Sequence, residues 1–107
     1  MAVQPANNRL YQSVIKEKQG VALFRFWANW CAPCRMMTKV YARVEQRLSA
    51  QAAFYDVNID RHSELTERCR IRSIPTIIIV KNGKEVKRID GVSTPDDLQR
   101  LVEKYLH

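Results

Sequence analysis

Long hydrophobic runs are missing from this chain. The longest apolar stretches, such as Ile77 to Val80, are strand-length, far short of the roughly 20 residues a membrane helix needs, so no membrane crossing is expected. Glycine and proline are sparse, at 3 and 4 of 107 residues, which excludes collagen-like and low-complexity chains. Residues 1–12 hold no continuous apolar segment, so no secretory signal is expected there. Cysteine is scarce and odd in number, at 3. That argues against a small disulfide-stapled scaffold and points to a reactive pair plus a single thiol. Acidic residues are the minority charge, 11 against 18 Lys and Arg, for a net charge of +7. Such a surface favours acidic partners at low salt. The basic residues are nevertheless scattered, with no polybasic run, RNA-binding signature or zinc-finger spacing, so specific nucleic-acid binding is not expected. What is present is an ordinary globular balance, 46% hydrophobic and 27% charged, enough for one ordered domain.

Hydrophobic periodicity orders the chain. Tyr11, Val14 and Ile15 mark a helix over about 8–19, with Gly20 as its stop. Residues 21–28 are apolar on both faces except at Arg25, the pattern of a central strand covered on both sides. Met37, Val40, Tyr41, Val44 and Leu48 share one helical face over about 31–49, with Pro33 in the first turn, where its missing N–H is harmless. A strand over 53–58 carries Asp56, a short helix spans 63–69, and Asn82-Gly83 joins a hairpin of 76–80 with 85–89. Thr94, Pro95, Asp96 and Asp97 open a last helix whose apolar stripe reaches Leu106. A short edge strand near Ala2 to Gln4, ended by Pro5, is a further candidate.

Cys31-Ala32-Pro33-Cys34 places two thiols three residues apart where a buried strand gives way to a helix. At that spacing both side chains share one helical face, so a small adjustment brings the sulfurs together. Unpaired N–H groups and the helix dipole at this end favour a thiolate on Cys31, the expected nucleophile, with Cys34, one turn further in, resolving the mixed disulfide. A zinc site lacks a second ligand pair, since Cys69, His62 and His107 stand at no recognised spacing, and neither histidine is placed to serve Cys31 as a base. Cys69 is expected to be a small, semi-buried side chain outside this chemistry.

The segment Phe26-Trp27-Ala28-Asn29-Trp30-Cys31-Ala32-Pro33-Cys34-Arg35-Met36-Met37 resembles the active-site segment of the thioredoxin family. Val57-Asn58-Ile59-Asp60, Ile71-Arg72-Ser73-Ile74-Pro75-Thr76, Lys81-Asn82-Gly83 and Gly91 resemble its other landmarks in order, so the likeness covers almost the whole chain. The resemblance implies an α/β thioredoxin fold over residues 1–107, a mixed sheet of four to five strands flanked by about four helices. It implies a cis bond before Pro75 facing the cysteines. It also implies protein disulfide reduction with no bound cofactor or metal, electrons from thioredoxin reductase, disulfide-containing protein substrates, and a cytoplasmic monomer. Trp30, Ile74, Pro75, Gly91 and Val92 would form the docking surface, where an extended substrate segment can pair with Ile74. Rival readings are an oxidant or isomerase of the same fold, disfavoured by Pro33 where such proteins usually carry His, and a binding subunit that makes little use of its thiols.

Departures from the family pattern are as informative. The family usually carries a buried acid at the position of Arg25 and a basic residue at that of Asp56; here the charges are reversed. Two buried charges of opposite sign on neighbouring strands are expected to pair, because an unpaired one costs several kcal/mol. The alternative is that Arg25 extends past the sheet edge. Guanidinium cannot accept a proton at working pH, so Asp56 becomes the candidate acceptor for the Cys34 proton. Ala32 replaces a customary glycine, and Lys39 replaces a mid-helix proline, which should remove a kink. Asp90 is expected to add a charge beside the docking surface.

Overall fold

The computed structural model describes residues 2–107. Its elements run β1 (Gln4–Pro5), α1 (Asn8–Glu17), β2 (Val21–Trp27), α2 (Ala32–Leu48), β3 (Ala52–Asn58), α3 (Ser63–Arg68), β4 (Thr76–Lys81), β5 (Lys84–Asp90) and α4 (Pro95–Glu103). The strands form one sheet in the order β1-β3-β2-β4-β5. β1 and β2 pair parallel with β3, whereas β4 pairs antiparallel with β2 and β5. The parallel β2–β3 pair is bridged by α2, as a crossover requires, and the β4–β5 hairpin turns on Asn82 and Gly83, both at positive φ.

Alternation along β2 decides what lies on each face. Val21 and Leu23 join Met37, Tyr41, Val44, Leu98 and Val102 in a core under α2 and α4. Ala22, Phe24 and Phe26 join Leu65 and the apolar sides of α1 and α3 on the other face. Arg25 continues the Val21–Leu23 series, so its side chain belongs to the α2 face, and its register partner in β3 is Asp56.

Three boundaries differ from the sequence reading. The first helix ends at Glu17, where Lys18 takes the left-handed conformation (φ 54°) expected of Gly20. Gly83 is needed here for space as well as conformation, since a Cβ on it would stand 2.5 Å from the Ile15 carbonyl oxygen. α4 stops at Glu103, and Tyr105 and Leu106 pack on the core from beyond its end. The N-terminal strand lies at Gln4–Pro5 rather than nearer residue 2. Pro5 is accommodated because it sits on the outer edge, next to Ala6, whose N–H reaches the Asp56 carbonyl (2.8 Å).

Candidate active site

β2 delivers the chain to the start of α2, and Cys31 is the N-cap of that helix, its extended backbone (φ −92°, ψ 108°) turning the chain into the first turn. The Sγ of Cys31 accepts a hydrogen bond from the N–H of Cys34 (3.2 Å), the capping bond that Ser or Asp would ordinarily accept. Pro33 lies inside the first turn, and no acidic residue stands there. Cys31 and Cys34 are joined as a disulfide, with Cα atoms 5.2 Å apart. Cys31 keeps 6% of its surface exposed and Cys34 none, so Cys31 is the more accessible of the two. The Ile74–Pro75 bond is cis, and the Ile74 carbonyl oxygen lies 3.9 Å from the Cys31 Sγ.

Arg25 and Asp56 meet as an ion pair that is buried at Arg25 and partly exposed at Asp56, where both charges were expected to be buried. Nε and Nη2 of Arg25 donate to the two carboxylate oxygens of Asp56 at 2.7 and 2.9 Å, a bidentate fork of the stronger kind. Arg25 is 1% exposed and the Asp56 side chain 23%, so the guanidinium stays inside and does not extend past the sheet edge. Its Nη1 donates to the carbonyl of Cys34 (2.9 Å) and to Thr38 Oγ1 (3.2 Å). The Trp27 and Tyr41 rings lie 5.1 and 5.5 Å from the guanidinium carbon, close enough for cation–π attraction. The first turn of α2 therefore rests on a cation held from below by Asp56. The hydrogen-bond path from Asp56 to Cys34 runs through Arg25 and ends on a backbone carbonyl.

Around the disulfide, Trp30 is 66% exposed and is steadied by Asp60, whose Oδ2 accepts from its indole N–H (2.9 Å). Gly91 donates its N–H to the Pro75 carbonyl (2.9 Å), and Ser93 N–H reaches Met37 Sδ (3.4 Å), fastening the Gly91–Val92 turn to both the proline loop and α2. Gly91 has φ +88° with open space where a Cβ would go, so glycine serves backbone conformation here. Val92 is exposed. Asp90 accepts a hydrogen bond from Thr76 Oγ1 (2.8 Å). Sequence reasoning missed Thr38, Tyr41 and Asp60 as parts of this site. Thr38 stood one helical turn beyond Cys34, a readable signal; the Asp60 contact was not readable, because an exposed indole N–H can be satisfied by water as well as by a side chain.

Cys69 is a free, buried thiol on the opposite face of the sheet, among Leu65, Ile78 and Val80. Burial pushes its thiol up, outweighing a hydrogen bond from Tyr11 and the pull of nearby arginines, which makes it a poor nucleophile. Among the described residues no group of three or more His, Cys, Asp or Glu is placed to hold a metal ion, and no helix is long and apolar enough to cross a membrane.

Comparison with known proteins agrees with the geometry. The thioredoxin family model matches residues 2–104. The chain is 41% identical to the thioredoxin of Chlamydia caviae over 86 residues, 80% of this chain and 83% of that protein. It is 31% identical to the thioredoxin of Bacillus subtilis over 106 residues, 99% of this chain and all of that one. The solved thioredoxin of Malassezia sympodialis superposes with a TM-score of 0.86 at 27% identity, covering 99% of this chain and 92% of the other. A chloroplastic thioredoxin z shares the fold, with a TM-score of 0.88 at 20% identity over 98% of this chain and 95% of that one. A cysteine pair at bonding distance in this company favours thiol–disulfide exchange over a purely binding role. The chain belongs to the thioredoxin family and has the protein disulfide reductase activity that its relatives and its Cys31–Cys34 pair support.

Proposed function

We propose that Cys31 is the attacking thiol and Cys34 the resolving one, with Arg25, Asp56, Pro33 and Pro75 as their supports. The observation that carries this reading is the asymmetry of the pair: a cap sulfur at the positive end of α2 with a trace of exposure, and a second sulfur with none. Cys31 thiolate attacks one sulfur of a substrate disulfide, releasing the other as a thiolate and leaving a mixed disulfide. Cys34 then attacks Cys31, closing the internal disulfide and freeing the second substrate thiol. Two electrons pass to the substrate and none are left on a cofactor. A thioredoxin reductase returns them.

Substrates are disulfide-containing proteins that lie across Trp30, Ile74, Pro75, Gly91 and Val92, the extended segment pairing beside Ile74. The protein works as a monomer in the cytoplasm. Insulin reduction driven by a thioredoxin reductase tests the reading. Wild type is expected to turn over, Cys31→Ser to be inactive, and Cys34→Ser to accumulate a mixed disulfide through Cys31. Turnover by Cys31→Ser, or trapping through Cys69, would overturn the assignment.

A further inference from the structure

Beside the proline loop, a cleft of about 480 Å³ opens between the end of α3, residues 69–73 and β5, with Tyr11 and Cys69 among the residues that line it. Four arginines, Arg68, Arg70, Arg72 and Arg88, face it against two carboxylates, Glu85 and Asp90. Both acids are engaged: Glu85 by the forked guanidinium of Arg88 at 2.8 and 2.9 Å, and Asp90 by Thr76. Arg68, Arg70 and Arg72 are exposed and form no ion pair among the described residues. The backbone presenting them is fixed. Arg70 sits at positive φ (53°), its N–H reaches the Glu67 carbonyl (3.0 Å), the N–H of Ile71 reaches the Thr66 carbonyl (3.1 Å), and Arg88 Nη1 holds the Arg70 carbonyl (3.3 Å).

The cleft's position gives these charges a use. Arg72 lies two residues before Ile74, whose carbonyl is 3.9 Å from the Cys31 sulfur. An extended segment advances about 3.3 Å per residue, so a partner strand that pairs beside Ile74 and continues towards Arg72 carries its side chains two to four residues, about 7–13 Å, from its cysteine in the direction of the cleft. We propose that the cleft is a selecting subsite of the reductase. It receives carboxylate side chains that a partner carries two to four residues from the cysteine under attack, so that disulfides with an acidic flank are reduced in preference to neutral ones. This rests on the docking of substrate beside Ile74 argued above, and adds to it the chemical class of segment that docks best.

The test uses the whole pre-reduced protein and two disulfide peptides that differ only in bearing Asp and Glu, or Ser and Asn, at those flanking positions. The second-order rate constant for the first exchange is expected to be about three- to tenfold higher for the acidic peptide at low salt, and the advantage to fade in about 0.5 M salt. Arg72→Lys should keep most of the preference. Arg70→Asn with Arg72→Ser should abolish it, asparagine being tolerant of the left-handed backbone at position 70. Arg72→Glu should turn it towards a lysine-flanked peptide. Equal rates in wild type would overturn the proposal, as would a preference that survives the double variant, which would trace to the overall charge of +7. Failure of the wild type to reduce either peptide would instead bring down the reductase reading on which the proposal stands.

Discussion

Two helices on one face of the sheet begin in nearly the same way. α2 is capped by Cys31, whose sulfur accepts from the N–H three residues on; α4 is capped by Thr94, whose hydroxyl accepts from Asp97 N–H at 3.1 Å. Both have proline in the first turn. They differ in what occupies the positive end. α4 fills it with Asp96 and Asp97, while the first turn of α2 holds no acid, only the sulfur of Cys31. A helix start is thus a neutral device whose use depends on which anion completes it. Side-chain carboxylates there serve the helix alone, whereas a cysteine sulfur there is also a partner in a disulfide.

The largest way to break the comparison lies beneath α2, because the ion pairs of α4 among the described residues, Arg47–Asp96 and Arg100–Asp97, lie at the surface. Asp56→Ala leaves Arg25 buried with no anion, only the Cys34 carbonyl, the Thr38 hydroxyl and the Trp27 and Tyr41 rings, and about 3–5 kcal/mol of stability should be lost, read as a fall in urea midpoint. A loss below about 1 kcal/mol would mean that water reaches the guanidinium freely. A smaller effect separates the caps themselves. Thr94→Ala should cost about 1 kcal/mol without altering disulfide exchange. Cys31→Ser retains a capping oxygen and should match the reduced wild type within about 0.5 kcal/mol while losing all exchange; paired unfolding curves and the insulin assay distinguish the two.

The smallest effect concerns Asp97, whose carboxyl is held below the ordinary range by Arg100 and then by Thr94. A group with a depressed value stabilises the fold at pH above its ordinary pKa, about 3.9, and this contribution fades as pH falls through the lowered one. Asp97→Asn should therefore unfold slightly earlier than wild type at pH 7, and the difference should shrink as the pH falls below the ordinary carboxylate range.

The sequence displayed the active site better than its surroundings. Cys31 and Cys34 were legible because a strand-to-helix junction, a first-turn proline and the three-residue spacing all agreed. The pairing of Arg25 with Asp56 followed from burial alone, since both sit in apolar strands where a lone charge is expensive. The third contact of Arg25, to the Cys34 carbonyl, was not legible, because it depends on how far α2 sits above the sheet. The end of α1 was misplaced because Lys18 adopts a backbone conformation that its side chain gives no sign of favouring. The arginine cleft was invisible as well: Arg88 is distant in sequence from Arg68, Arg70 and Arg72, and only the arrangement of β5 beside the loop after α3 brings them together.

The two outer strands carry one more consequence. One border of the sheet is the two-residue β1, ending in a proline with no N–H to offer; the other is β5, studded with Lys84, Glu85, Lys87 and Arg88. Each is a poor template for the growth of a further strand. In a crowded solution, then, neighbouring copies find little to zip onto, and aggregation through strand addition is discouraged at both borders.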